Sequence, residues 1–145
     1  MTNKNSETCV FCQIVDGKLP AEKIYEDEKT LAFLTSGPVN PGHALVIPKK
    51  HLQNIYEADE PSLQATILTA QKVAKAIKIG LPADGVNVNS NFDRAAGQIV
   101  FHLHFHIIPR YENDGLHHWP HKNDFGEDAH QLAQKIISAL DPKVI

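Results

Sequence analysis

Cysteine is scarce in this sequence: Cys9 and Cys12 are the only two in 145 residues. Two thiols this close together cannot build the disulfide framework of a small secreted domain, and a chain of this length can bury a core without one. In a reducing compartment the Cys-x-x-Cys spacing points instead to half of a metal site or to a redox pair. No run approaches the roughly 18 apolar residues of a membrane helix, and the polar start from Met1 to Glu7 lacks a signal-peptide apolar stretch. The expectation is a cytoplasmic protein with no membrane partner. Charge of one sign is missing too, since 14 Lys and Arg stand against 17 Asp and Glu for a net charge of -3. That balance argues against a nucleic-acid polymer as partner and leaves a single nucleotide open. With no internal repeat, low-complexity segment or interdomain linker, residues 1–145 are expected to form one domain, with 111–145 as a C-terminal extension.

What the sequence does have is histidine, and three of the nine fall in strict alternation. His102, His104 and His106 interleave with Phe101, Leu103, Phe105 and Ile107, a period of two that predicts a β-strand over 101–107. The apolar set would enter a core and the histidines would line a site. Same-face residues lie roughly 6.5–7 Å apart along a strand, a spacing that suits several groups gripping one phosphate ester. Shared ligation of a metal ion by histidines two apart is the competing use of the pattern.

The rest of the chain supplies a frame for this stretch. Cys9 to Val15 predicts a short helix stopped by Asp16-Gly17 and Pro20. Lys23–Glu26 and Thr30–Leu34 read as a hairpin, and His43–Pro48 as a third, mostly apolar and therefore central strand. Between Glu60 and Gly80, Leu63, Ile67, Ala70, Ala74 and Ile77 recur at helical spacing, with Leu68 and Val73 widening the stripe. Gly85–Asn89 alternates as a fourth strand, and Ser90–Gly97 is a loop whose amides could approach a phosphate. His117, His118 and His121 surround the single tryptophan, Trp119, in a segment read as surface or subunit contact. Glu127 to Leu140 carries Leu132, Ile136, Ile137 and Leu140 on one stripe and predicts a second amphipathic helix.

The stretch His102-Leu103-His104-Phe105-His106-Ile107-Ile108 resembles the defining motif of the histidine triad (HIT) family, and Gly97-Gln98 precedes it as in that family. His43 to His51 and the hairpin strand Leu31 to Leu34 resemble family segments in the family order. The resemblance implies an α+β, HIT-like fold: a five-stranded antiparallel sheet with one long helix and, here, a C-terminal helix. It also implies a homodimer, and a purine nucleotide conjugate or dinucleotide as ligand. The implied reaction is attack of His104 on an α-phosphorus to give a nucleotidyl-histidine that water hydrolyses, with a neutral imidazole near its usual pKa of about 6.5 as nucleophile. His43 and His106 would bind α-phosphate oxygens, while Gln98 and Asn91 would orient phosphate, leaving group and water. Thr35 stands where many members carry an acidic residue that accepts from both ribose hydroxyls, and a neutral hydroxyl accepts more weakly. Cys9, Cys12, His51 and His102 resemble the four ligands of a structural Zn2+ site in a subgroup of the family.

Three functions follow. The first is a nucleotide-conjugate hydrolase, either a nucleoside phosphoramidase of the Hint branch or a dinucleoside polyphosphate hydrolase. The second is a nucleotide-binding regulatory or interaction module with little turnover. The third is a metalloenzyme whose catalytic ion sits on His102, His104 and His106.

Overall fold

The structure, a computed structural model, describes residues 8–122, 126 and 128–140. They fall into two compact units, Met1–Asp114 and Gly115–Ile145. The first unit contains a short helix α1 (Val10–Val15), strands β1 (Lys23–Glu26), β2 (Thr30–Leu34) and β3 (Ala44–Pro48), and a long helix α2 (Glu60–Gly80). Strands β4 (Gly85–Asn89) and β5 (Phe105–Arg110) complete it, with a 3-10 turn at Arg94–Ala96 between them. The five strands form one sheet in the order β1-β2-β3-β5-β4, every neighbouring pair antiparallel.

Alternation along the strands builds two cores. Ala32, Ala44, Val46 and Ile107 face α2 and pack with Ala70, Val73 and Ile77. Leu31, Phe33, Leu45 and Ile47 face the other way, onto Phe11 and Ile14 of α1. Strand β3 is buried throughout, as its apolar sequence predicts. Helix α2 starts on Asp59, whose carboxylate accepts the Ser62 amide, and ends before Pro82. Its buried face is displaced from the predicted stripe: Thr66 and Thr69 are inside, while Ile67 and Leu68 are exposed. Both threonines are satisfied there, Thr66 Oγ1 donating to the Ser62 carbonyl and Thr69 Oγ1 bonding Thr30 Oγ1. A threonine with a local acceptor packs as an apolar residue does.

A second correction concerns the histidine stretch. Strand β5 begins at Phe105, so residues 101–104 lie outside the ladder, and β3 meets β5 only from Val46 opposite Phe105. Parity nevertheless holds where it matters. Phe105 and Ile107 lie on the α2 side, and His106 pairs with Leu45 on the α1 side.

In the second unit, α3 (Ala129–Ala139) is capped by Asp128, which accepts the Gln131 amide; the predicted start at Glu127 lies outside the described residues. His117, His118 and His121 are exposed, as is Trp119. Among the described residues no helix is long and apolar enough to cross a membrane.

Candidate active site and metal centre

Four histidines meet on the α1 side of the sheet. His43 enters from the loop before β3, and that loop is tied to the far end of β5. Asn40 Nδ2 donates to the Pro109 carbonyl at 2.9 Å and to Asp114 at 3.0 Å, and Arg110 holds the same carboxylate at 2.7 and 3.0 Å. The His43 amide then donates back to the Asn40 carbonyl. Gly42 makes this approach possible, with φ +89 and Leu81 and Pro109 packed against its α-carbon.

Hydrogen-bond partners settle the tautomers. An amide can only donate, so the Val39 N–H at 3.1 Å makes His43 Nδ1 an acceptor and leaves the proton on Nε2. That Nε2–H donates to His106 Nδ1 at 2.9 Å, which places the His106 proton on its own Nε2. A carbonyl can only accept, so His104 Nδ1 carries the proton it gives to the His102 carbonyl at 2.6 Å, and its Nε2 keeps a lone pair. The His104 and His106 ring centroids are 5.0 Å apart. Of these two neighbouring rings, His104 therefore carries a bare Nε2 and His106 an Nε2–H.

Burial keeps these rings neutral. Desolvation lowers the pKa of His43 and of His104, against the raising effect of the His102 carbonyl on the latter; it pushes His106 down to about 4, helped by His104 and His43. A neutral, buried imidazole with a free Nε2 is a nucleophile at neutral pH.

His102 plays a different part. Its Nε2–H donates to the Pro48 carbonyl at 2.8 Å, so Nδ1 is the lone-pair nitrogen, and it faces Cys9 Sγ at 3.5 Å and Cys12 Sγ at 3.6 Å. His51 Nδ1 lies 3.2 Å from Cys12 Sγ. The four ligand atoms of Cys9, Cys12, His51 and His102 all lie within 4.8 Å of one another. A tetrahedral Zn2+ with ordinary Zn–S and Zn–N bonds has S···N edges of about 3.6 Å, so this donor set fits the ion. Burial and the neighbouring Cys9 push the Cys12 thiol up to about 12, so a Cys12 thiolate at neutral pH needs a cation beside it. A cavity of ≈ 420 Å³ beside the cluster is lined by Cys9, His51, Gln53, Val100 and Phe101, among others. The triad does not converge on one ion: His102 turns to the thiols, while His104 binds the His102 carbonyl.

The other predicted site residues make these contacts within the protein. His43 gives its free N–H to His106. Gln98 is buried, donating to the Gln53 and Val100 carbonyls at 2.7 and 3.2 Å and accepting the Asp93 amide at 2.8 Å; it joins the loops on either side of the site. Thr35 Oγ1 accepts the Gly37 amide, and the Thr35 amide donates to the His43 carbonyl. Asn91 follows Ser90, whose hydroxyl donates to the His104 carbonyl, and its Nδ2 would lie 3.6 Å from a Cβ on Gly97. Two contributors escaped sequence reasoning. Ser90 carries no signal beyond its place in a loop, and Phe11 read only as an apolar residue between the cysteines.

Comparison with known proteins adds independent weight. Residues 16–113 match the HIT domain family. The chain is 39% identical over 135 residues to adenosine 5'-monophosphoramidase hnt1 of Schizosaccharomyces pombe, covering 92% of this chain and 98% of that one. A HIT family protein from Bacillus anthracis superposes with a TM-score of 0.84 at 39% identity, covering 96% of this chain and 99% of that chain. A zinc-bound histidine triad family protein from Mycobacterium smegmatis superposes with a TM-score of 0.74, also at 39% identity, over 94% and 97%.

Proposed function

This chain belongs to the histidine triad family, and on that premise we propose that it hydrolyses nucleotide conjugates at the α-phosphate, as a nucleoside phosphoramidase or a dinucleoside polyphosphate hydrolase. The observation that carries this reading is the His104 tautomer: Nδ1–H on a carbonyl at 2.6 Å and a lone pair on Nε2.

In the first step Nε2 of His104 attacks the α-phosphorus, the Nε2–P bond forms, and the bond to the leaving amine or phosphate breaks. The imidazole gains positive charge, which its short hydrogen bond to the His102 carbonyl stabilises. The His106 Nε2–H, polarised through His43, hydrogen-bonds to a phosphate oxygen without giving up its proton, and the departing amine or phosphate takes its proton from solvent. In the second step water attacks phosphorus, the Nε2–P bond breaks with its electron pair returning to the neutral His104 ring, and the nucleoside monophosphate leaves while the proton lost by water passes to solvent. Gln98 orients the loops that carry phosphate and water, Asn91 lies on one of them, and Thr35 sits at the ribose position as a weak acceptor. Cys9, Cys12, His51 and His102 would hold a Zn2+ ion, which supplies a cross-link between α1 and the sheet. The protein is proposed to act as a cytoplasmic homodimer, with 111–145 as an extension of one HIT domain.

The test is incubation with adenosine 5′-phosphoramidate, comparing wild type with His104→Ala and His104→Gly by intact-protein mass spectrometry. Wild type is expected to gain an AMP-sized adduct and release AMP, and both variants to do neither. Undiminished turnover in the variants would overturn the nucleophile. Tight nucleotide binding without turnover in wild type would favour a regulatory module.

A further inference from the structure

The sheet stops just short of the nucleophile. Strand β5 starts at Phe105, and the ladder from β3 reaches no further than Val46 opposite Phe105. The peptide whose carbonyl holds His104 Nδ1–H, that of His102, therefore lies outside the strand pairing. Backbone hydrogen bonds near it run from the His102 amide to the Val100 carbonyl and from the Leu103 amide to the Leu52 carbonyl, both in loops. Yet His102 and Leu103 are wholly buried and His104 nearly so. Something other than the sheet must orient this peptide.

Two features do so. The His102 ring is anchored at both nitrogens, Nε2 on the Pro48 carbonyl at the end of β3 and Nδ1 against the thiols of Cys9, which precedes α1, and Cys12, which lies within it. Phe11 sits between those cysteines in sequence, and its ring meets His102 edge-on at 5.9 Å, His104 at 5.3 Å and Phe33 at 5.5 Å. Helix α1 has only six residues, too few to be stable alone. Its position depends on what it is clamped to.

We propose that the Cys9, Cys12, His51 and His102 cluster is a positioning device for the nucleophile: ligation fixes the His102 ring and Phe11, and together they set the peptide and ring plane that aim His104 Nε2. His102 and Phe11 are positioning residues in this account and touch no reacting atom. The inference rests on the proposed role of His104, and deepens it by making reaction geometry depend on an N-terminal clamp. A scaffold-only cluster would lower the folded fraction and leave each folded molecule with an intact His104.

Protein labelled with 15N-histidine separates these outcomes by NMR, through the His104 Nδ1–H signal and the ring nitrogen shifts that report its tautomer. Three samples are compared: zinc-loaded wild type, wild type stripped by a chelator that can reach the cluster through the adjacent cavity, and zinc-loaded Phe11→Leu. Loaded wild type should show one sharp Nδ1–H signal. Stripping should broaden or lose it and mix the tautomers while the Ile107 and Val46 core amides stay protected. Phe11→Leu should keep its zinc yet weaken the same signal, and kcat for adenosine 5′-phosphoramidate should fall on the order of tenfold. An unchanged His104 signal in both the stripped protein and Phe11→Leu overturns the proposal. If stripping unfolds the chain, Phe11→Leu decides alone: a wild-type signal there overturns the proposal, and a weakened one supports it. If loaded wild type shows the sharp signal but no turnover, the hydrolase reading fails and the positioning link is still judged by the NMR comparison.

Discussion

At the scale of single residues the site is a set of proton assignments. Val39 N–H, His43 and His106 form a relay that ends in an outward donor, while His104 is held in the opposite sense by the His102 carbonyl. Only neutral rings can keep this wiring, because protonating His106 Nδ1 would set an N–H against the Nε2–H of His43. Burial lowers the pKa of all three rings, and that of His106 to about 4. For the proposed reaction, kcat/KM should be flat through neutral pH and fall on the acid side with a midpoint below the value of about 6.5 that ordinary histidines would give. The check is a pH profile with adenosine 5′-phosphoramidate; a midpoint at or above 6.5 would contradict the burial of these rings. The sign for stability agrees: with folded pKa values below those of the unfolded chain, the unfolded state takes up protons first. Stability present above pH 6.5 is therefore lost as the pH falls toward 4. Urea midpoints at pH 7 and pH 5 measure the difference, with the lower midpoint expected at pH 5.

At the scale of elements, turns deliver the chemistry. Gly42 has φ +89, and a Cβ there would lie 2.4 Å from Leu81 Cδ1 and 3.2 Å from Pro109 Cγ. Gly42→Ala is expected to cost about 2 kcal/mol, from the left-handed backbone together with overpacking. It should show as a lower urea midpoint with an unchanged slope; an unaffected midpoint would mean that Leu81 yields freely and the backbone is not strained. Much of this frame is legible in sequence. Strands β1, β2 and β4 and helix α2 fall on their predicted bounds, because turn formers and period changes mark their ends. Partner-dependent features are not. Ile67 and Leu68 look like core by hydropathy, but Thr66 and Thr69 take the buried face because each hydroxyl finds an acceptor in the fold. Alternation of histidines reads as a strand from 101, yet no neighbour pairs with 101–104, since pairing is a property of two segments. The Cys9, Cys12, His51 and His102 cluster could be named only through the family resemblance, because a Cys-x-x-Cys does not say which histidines fold toward it. For Gln98 the sequence shows no sign of its buried, loop-joining bonds, which depend on where three separate segments fold.

At the scale of the whole molecule, both cores, all five strands, the four histidines of the site and the Cys and His cluster lie within Met1–Asp114. The second unit supplies helix α3, which buries none of its residues and leaves Ile136 and Ile137 more than half exposed. Apolar burial is the main source of folding stability, so the unit that holds both cores carries most of it. A chain ending at Asp114 should therefore fold cooperatively, bind one zinc per chain and still form the AMP-sized adduct on His104. Its thermal midpoint should lie within about 4 °C of the full-length protein, the shift that roughly 1 kcal/mol produces in a domain of this size. Calorimetry, metal analysis and intact mass on the two proteins side by side provide the comparison. Loss of cooperative unfolding on truncation would show that the folding of Met1–Asp114 depends on residues 115–145. Retained folding with loss of the adduct alone would place a residue of 115–145 at the site, because every other group the proposed reaction uses would still be present.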